Sequence, residues 1–334
     1  MIDIPTVLIL GAGASKPYGY PLASELRNNI ISEFDKHVKA GRGWPYDLFD
    51  KDLISEFLYS LRSSRSYSID EFISKQEDYT EIGKLAIAKH ITSHESSKKL
   101  FSEKNEDDWM RYLIKYLHVS DFKNISENKI NILTFNYDRS VEEYLFNTIW
   151  ASYGGDSYNS CKSFLTDSIL HLYGRVDPLV WEDSDHRHYG EPIKNYSWSI
   201  PEQEAGIKTK DYSYLLDISK GIKLIQEAKE DNTIKKANKL IDEAEKIYFL
   251  GLDLTNKTNL SLFNPKYFVG EKYVFTTTYG LEPAEIREIK RNFPTPLYCS
   301  DNDFKTLKSI KYYNPFTKPH KALSDRVRDN HSAY

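Results

Sequence analysis

The sequence predicts an α/β fold, a doubly wound parallel sheet with helical insertions, on three observations. Apolar runs without alternating polar residues, such as Thr6–Leu10, suit strands that are buried on both faces. These runs alternate along the chain with segments whose apolar residues recur at helical spacing. Glycine or polar residues directly follow several of these runs. Such positions lie at the carboxyl edge of a parallel sheet, which is where ligands bind.

Composition narrows the class of protein. A chain of 334 residues suits one large or two modest domains, and 40% hydrophobic with 28% charged residues is ordinary for a globular protein. A net charge of −4 gives no general attraction to nucleic acid, so we expect no direct nucleic-acid binding. No apolar run approaches the roughly 20 residues that cross a bilayer, and the N-terminus lacks signal-peptide features. With only two cysteines, Cys161 and Cys299, we expect a cytoplasmic protein without a membrane segment.

The first half of the chain predicts a strand, a glycine turn and a long helical stretch. After the strand at 6–10, Leu22, Leu26, Ile30 and Phe34 have helical spacing, with Pro21 in the first turn. Residues 36–128 are mainly helical in pattern. We interpret them as a helical insertion between two strands of one sheet.

The second half repeats the alternation of strands and helices. Strands are predicted at 129–135, 168–174, 246–254, 272–280 and 296–300, and helices at 139–150, 233–245 and 283–293. Residues 180–245 form a second insertion, which begins as a loop and ends as a helix. One catalytic domain is therefore expected over 1–313, followed by a polar tail at 314–334.

The glycine turn after the first strand is a candidate phosphate site. Gly11, Ala12, Gly13 and Ser15 form a turn without large side chains, so backbone N–H groups can approach a pyrophosphate. Lys16 stands where the dehydrogenase fingerprint has a third glycine, and no ribose-binding acid follows about 20 residues later. The alternative is a tight turn without a ligand. The loop at 18–21, with Pro21, is a candidate flexible cover or an ordinary connector.

Polar residues end two further strands. Asn136 can hold a sugar hydroxyl or a water, and Asp138 can stabilise or deprotonate one, although Asp138 also suits a helix cap. His171 suits proton transfer near neutrality, although a buried, hydrogen-bonded histidine is the commoner outcome. Two-residue alternation puts Tyr173 on the same side as His171, so both could reach one pocket.

A fourth strand end also carries candidate binding residues. Gly251, Asp253, Thr255 and Asn256 suit contacts to a ribose or an adenine, or are ordinary loop residues. His186 and His188 stand near acidic residues, but no second pair of ligands accompanies them, so we predict no metal site.

Together these motifs resemble the sirtuin-like family of NAD-consuming proteins. The residues that carry the likeness are GAGAS with its Gly/Pro loop, TFNYD at 134–138, LYG at 172–174 and GLDL at 251–254. The resemblance implies a Rossmann-like sheet of sirtuin type, with Asn136 and Asp138 at the reaction centre. It also implies cofactor contacts from the glycine turn, Pro21 and Gly174. Tyr173 occupies the place of the family's catalytic histidine, so either His171 takes over or the proton relay is weakened.

One difference from the family's pattern indicates which branch of the family this chain resembles. Deacylating sirtuins carry a four-cysteine zinc module, which two cysteines cannot build. The resemblance therefore implies the bacterial branch that hydrolyses NAD in anti-phage defence: an NAD+ glycohydrolase without metal, whose only cofactor is NAD as substrate. It further implies a toxic effector that is held idle until oligomerisation, or a partner such as a HerA-type ATPase or a short Argonaute, activates it.

Three other functions stay open. A non-catalytic sensor that binds NAD or ADP-ribose and signals through assembly is favoured by Tyr173 in the place of the histidine. An oxidoreductase is disfavoured by Lys16 and by the missing ribose-binding acid. Protein deacylation ranks last, because the zinc module is missing.

Overall fold

Six parallel strands form one sheet in the computed structural model, which describes residues 1–117, 119–191, 212–230, 232–255, 260–278 and 281–300. Their spatial order is β3-β2-β1-β4-β5-β6. The strands are β1 Thr6–Leu10, β2 Ile130–Thr134, β3 Ile169–His171, β4 Lys246–Leu250, β5 Tyr273–Thr277 and β6 Leu297–Ser300. This is the order of a doubly wound Rossmann-like sheet, so the predicted fold class is confirmed.

Helices flank the sheet and fill the long connections between strands. Those before β2 are α1 Ala12–Ser15, α2 Ala23–Ala40, α3 Lys51–Ser63, α4 Ile69–Ile73, α5 Thr80–His94, α6 Ser97–Leu100 and α7 Trp109–Leu117. Those after β2 are α8 Ser140–Tyr153, α9 Tyr158–Ser168, α10 Ser213–Lys220, α11 Ile225–Glu230, α12 Asn232–Glu243 and α13 Pro283–Asn292. The segment between the first two strands is thus helical, as its apolar spacing predicts.

Burial explains why these strands could be recognised. Every residue of β1 and of β4 is buried, since helices cover both faces of a parallel sheet. Two details differ from the expectation. Helix α2 begins at Ala23 with Leu22 as its N-cap, so Pro21 precedes the helix instead of opening it. The strand predicted at 168–174 has only three residues, because the chain turns away after His171.

The strand register sets the level at which the loops emerge. Leu10 pairs with Thr134 on one side and with Leu250 on the other, and Thr134 pairs with His171. The chain therefore leaves β1, β2, β3 and β4 at one edge of the sheet. The order of the strands reverses between β1 and β4, which is where doubly wound sheets bind ligands.

The helical insertion is tied directly to the glycine turn. The buried indole of Trp109 donates from Nε1 to the carbonyl of Ala14 at 2.9 Å. Asp108 accepts from the hydroxyls of Tyr18 at 3.0 Å and of Tyr144 at 2.8 Å. The insertion therefore packs as part of the sheet domain and stabilises the loop that follows β1.

Among the described residues, no helix is both long and apolar enough to cross a bilayer. Cys161 and Cys299 are both free thiols, and burial raises the pKa of Cys161 to about 12. The tail predicted at 314–334 and the loop residues 192–211 lie outside the described residues.

Candidate functional site

The glycine turn packs tightly against the end of β4. The N–H of Gly11 donates to Leu250 at 3.0 Å, and the N–H of Gly13 donates to Gly251 at 2.9 Å. A Cβ at Gly251, where φ is +59°, would lie 2.1 Å from the nitrogen of Ala14. All three glycines are thus explained by the close approach of two loops. The N–H groups of Gly11 and Gly13, predicted to face a pyrophosphate, donate to these carbonyls.

Asn136 lies on the other side of the same turn. Its Nδ2 atom donates to the carbonyl of Gly11 at 2.9 Å and to the hydroxyl of Ser15 at 3.0 Å. Both amide hydrogens are thereby used, and the Asn136 side chain is held in one orientation. No described residue donates to its Oδ1 atom, which is left as an acceptor at the edge of the turn.

Asp138 joins this group through the same serine. Its Oδ1 atom accepts from the backbone N–H of Ser140 at 3.0 Å and from the Ser140 hydroxyl at 2.5 Å. Burial raises the pKa of Asp138, although hydrogen bonds from Ser140 and Ser15 partly oppose the shift. Asp138 therefore fixes the start of α8, as a capping residue would, and also faces Ser15.

Two tyrosines lie near enough to this carboxylate to be affected by its charge. The hydroxyls of Tyr20 and Tyr189 lie 2.6 Å apart, and both side chains are buried. Burial is the main cause that raises the pKa of each, and Asp138 adds to it. Asn136 is 9% exposed and Asp138 5%, so both side chains are buried, and the pair Tyr20 and Tyr189 is called the cover below.

His171 lies behind Asn136 and uses both ring nitrogens. Nδ1 is 2.9 Å from the backbone carbonyl of Asn136, and Nε2 is 2.7 Å from a carboxylate oxygen of Glu142. Both partners are acceptors, so the ring makes both bonds only when each nitrogen carries a hydrogen. A histidine bonded in this way has no free nitrogen to take a proton.

Glu142 belongs to a buried ionic cluster. Its Oε1 atom accepts from Nε of Arg139 at 2.8 Å, and the Arg139 side chain is fully buried. Burial alone would raise the pKa of Glu142, but Arg139 and His171 outweigh it and hold that pKa well below its usual range. Arg139 also donates to Glu182 at 2.5 Å and to the carbonyl of Asp177 at 2.6 Å.

Tyr173 has different neighbours from His171, so the structure does not bring these two side chains into one pocket. Its ring meets Phe135 edge to face, with centroids 5.3 Å apart. Burial raises the pKa of Tyr173, and the negative charge of Asp70 raises it further.

Asp70, which the sequence did not single out, contacts the segment that carries Asn136 and Asp138. It lies in α4 of the insertion and accepts a hydrogen bond of 2.5 Å from the hydroxyl of Tyr137, the residue between Asn136 and Asp138. It keeps partial solvent access, and burial raises its pKa. No local pattern marks Asp70, because the insertion reaches this strand end only in the folded chain.

The remaining predicted residues lie apart from Asn136. Gly174, at φ +69°, would place a Cβ 2.0 Å from the carbonyl of Gly221, so packing explains this glycine. Asp253 accepts from the N–H of Thr255 at 2.9 Å and from its hydroxyl at 2.5 Å, a contact within one loop. Asn256 lies outside the described residues.

Of two cavities in the described part of the chain, neither is lined by Asn136, Asp138 or the glycine turn. One, of about 560 Å³, is at the free edge of β3 and is lined by charged residues that include Glu142, His171 and Arg175. The other, of about 480 Å³, lies between the loop after β4 and α13, with Leu254 and Phe293 in its wall. Within the described ranges, no group of three or more His, Cys, Asp or Glu side chains could hold a metal ion.

A scan of the chain against models of known protein families finds no match, and a search of curated proteins returns no significant match.

Proposed function

We propose that this protein is an NAD+ glycohydrolase, which cleaves NAD to nicotinamide and ADP-ribose. One observation carries the proposal: Asn136, Ser15 and Asp138, which come from two different strand ends, form one hydrogen-bonded group beside the glycine turn. The group lies at the carboxyl edge of the sheet next to the switch in strand order, where ligands bind in this fold.

The chemistry of the group suits cleavage of a ribosyl bond. Nicotinamide departs readily from NAD, because its ring is positively charged while bonded and neutral once released. The ribosyl centre then develops oxocarbenium character, as in glycoside hydrolysis. The free Oδ1 acceptor of Asn136 can hold a ribose hydroxyl or the attacking water, and an ionised Asp138 can stabilise the positive charge.

His171 has a positioning role in this proposal. It holds the backbone carbonyl of Asn136 through Nδ1 and is itself held by Glu142. The side-chain amide of Asn136 is fixed separately by Gly11 and Ser15. Backbone and side chain of Asn136 are thus fixed from opposite sides, as a residue that orients a reacting water requires.

The closed cover indicates that the proposed enzyme is idle in this conformation. Tyr189 belongs to residues 180–191, which are anchored to the end of α5. There Arg187 donates from Nη2 to Glu95 at 2.7 Å, and the N–H of Gly190 donates to the same carboxylate at 3.1 Å. Opening requires the contact between Tyr189 and Tyr20 to break.

A gated enzyme suits a toxic effector. Unrestrained loss of NAD would harm the cell that makes it, so the cover should open only on a signal. As part of the proposal, that signal is self-assembly into a homo-oligomer or a separate activating protein, such as the HerA-type ATPase or short Argonaute that the resemblance implies. The resemblance also supports the role in anti-phage defence.

A second candidate function is a sensor that binds NAD or ADP-ribose without cleaving it. Two observations favour it: both nitrogens of His171 are bonded, and the pKa of Tyr173 is raised by burial, so neither is a ready proton acceptor. A sensor would retain the nucleotide and release no nicotinamide.

The test incubates the purified chain with NAD and follows nicotinamide and ADP-ribose by chromatography, over a range of protein concentrations and with candidate activators. The proposal expects both products in equal amounts, and their loss in Asn136→Ala. Binding of NAD without nicotinamide release under every condition would contradict hydrolysis and support the sensor.

A further inference from the structure

We propose that the cavity at the free edge of β3 binds a phosphorylated small molecule of nucleotide size, with Arg175 as the main contact to the phosphate. The inference goes beyond the proposed function, because it assigns a second binding site to the molecule. Three observations carry it: unused donors on Arg175, backbone contacts that hold Arg175 and Lys223 at one cavity, and apolar surface for the rest of the ligand.

Arg175 has hydrogen-bond donors that no described residue accepts. Its Nη1 atom lies 3.0 Å from Oε1 of Glu182 and 3.9 Å from Oε1 of Glu142. Its Nε and Nη2 atoms contact no acceptor in the described part of the chain, and the side chain is 39% exposed. A guanidinium can donate two parallel hydrogen bonds to a phosphate or a carboxylate. Arg175 can therefore bind an anion and keep its contact with Glu182.

The acidic residues that line the cavity are already paired within the protein. Their partners are Arg139 and His171 for Glu142, His186 and Tyr214 for Asp177, Arg139 and Arg175 for Glu182, and Lys220 for Asp217. Oε2 of Glu142 has no hydrogen-bond partner, but it is closed off from solvent, so a ligand in the cavity does not reach it. The partner that the lining lacks is thus an acceptor for Arg175, which a ligand anion supplies.

Two backbone segments hold Arg175 and Lys223 at the cavity. The N–H of Arg175 donates to the carbonyl of Gly221 at 3.0 Å, and the N–H of Lys223 donates to that of Tyr173 at 2.9 Å. A Cβ on Gly221 would lie 2.3 Å from the carbonyl oxygen of Arg175, so this close approach requires glycine. Because both cationic residues line the cavity, a phosphate bound there meets two positive charges.

The remaining lining suits the body of such a ligand. Among the described strands β3 pairs only with β2, and Ile169 and Leu170 keep partial exposure at its free edge. Trp181 adds an aromatic side chain to the wall. The volume of about 560 Å³ is typical of pockets for small organic molecules. A bare anion would leave the apolar wall uncovered, so we expect a phosphate that is joined to a flat ring.

This cavity is separate from the group around Asn136. Glu142 and His171 line it, and His171 contacts Asn136 only through the backbone carbonyl. The side chain of Asn136 bonds to Gly11 and Ser15 instead. Removal of the Asn136 side chain should therefore leave the cavity and its ligand in place.

The experiment measures binding of uridine monophosphate to the purified full chain by isothermal titration calorimetry, without NAD. This probe joins a phosphate to a flat ring and has neither the adenine nor the nicotinamide of NAD. Wild type should bind it more tightly than uridine or inorganic phosphate, since each of these has only one of the two parts. Arg175→Ala should weaken binding by about 10-fold or more, the contribution of one hydrogen bond to a charged group.

The matched control is Arg62→Ala. Arg62 is also a partly exposed arginine that pairs with a carboxylate, but it does not line the cavity. This variant should bind the probe within about 2-fold of wild type, because exposed charges outside the site are screened by salt. Asn136→Ala should bind it like wild type. Lys223→Ala should bind it more weakly than wild type, and this variant decides the outcome if Arg175→Ala does not fold.

Four results would overturn the proposal: no binding of uridine monophosphate to wild type, equal affinities in wild type and Arg175→Ala, uridine binding as tightly as its phosphate, or loss of binding in Asn136→Ala. The last would place the ligand at the proposed reaction centre. The proposed function is tested separately by nicotinamide release. A chain that binds the probe through Arg175 but never releases nicotinamide would contradict the hydrolase and leave this site standing.

Discussion

The two strand ends that the sequence offered as catalytic differ in what their polar groups have left to bind. Beside the glycine turn, the Oδ1 atom of Asn136 accepts from no residue that the structure describes, although both of its amide hydrogens are used. At the end of β3, His171 uses both nitrogens, and its partner Glu142 lies in a buried ionic cluster. In the proposed function the first region receives the ligand and the second holds the first in place.

This contrast teaches that the residue type alone does not assign a role. A histidine at a strand end suits proton transfer, but two acceptors on its ring convert it into a structural cross-link. Asp70, in an insertion helix, carries no motif, but the fold brings it to Tyr137, the residue between Asn136 and Asp138. We therefore expect variants around His171 to lower mainly the free energy of unfolding, and variants beside the glycine turn to lower mainly activity.

The largest effect is expected from Arg139→Ala in the ionic cluster. Arg139 is fully buried and bonds to the buried Glu142 and the half-buried Glu182, so its removal leaves Glu142 without its main cationic partner in the interior. We expect a loss of about 3–5 kcal/mol in the free energy of unfolding, measured by urea denaturation.

The matched control for that variant is Arg62→Ala. Arg62 is 52% exposed and pairs with Asp35 at 3.2 Å, so its removal should cost less than about 1 kcal/mol. Equal losses in the two arginine variants would contradict the structural role of the cluster.

A smaller effect, on activity, is expected from Ser15→Ala beside the glycine turn. The variant removes the hydroxyl that accepts from Asn136 and that lowers the pKa of Asp138. One to two lost hydrogen bonds of about 1 kcal/mol each correspond to a fall of roughly 10-fold in nicotinamide release.

In that experiment Ser55→Ala is the control, since Ser55 is partly exposed and its hydroxyl donates to Lys51 within its own helix. An unchanged rate in folded Ser15→Ala would mean that Ser15 does not set the orientation of Asn136.

The smallest effect is expected from Tyr189→Phe in the cover. The variant removes the 2.6 Å contact to Tyr20 but keeps the ring, so the closed state loses about 1 kcal/mol. Basal nicotinamide release without an activator should rise about 5-fold, and Tyr20→Phe should do the same because it breaks the same contact. A fall in both variants would contradict the idea that this contact keeps the enzyme idle.

Much of the fold can be predicted from local sequence. The strands stand out because fully buried parallel strands need unbroken apolar runs, as in β1 and β4. Their common carboxyl edge then predicts that the glycine turn and Asn136 meet, and the bond from Asn136 to Gly11 agrees with it.

Other features depend on contacts that no local pattern encodes. Glu142 appears in the sequence as one more charge on α8, and only the fold brings Arg139 and His171 to it. The sequence predicts that Gly11 and Gly13 face a phosphate and that Gly251 contacts a ribose or an adenine, whereas the structure gives each glycine a packing reason. Such long-range partners decide whether a polar group is free or already satisfied.

The most direct measurement compares nicotinamide release from NAD by Asn136→Ala and His171→Gln, each against wild type at equal concentrations of folded protein. We expect a loss of about 100-fold or more in Asn136→Ala, because the reacting water loses its anchor. We expect a much smaller loss in His171→Gln, together with a lower midpoint of urea unfolding. Full activity in Asn136→Ala, or complete inactivity of a stably folded His171→Gln, would contradict the division between the two regions.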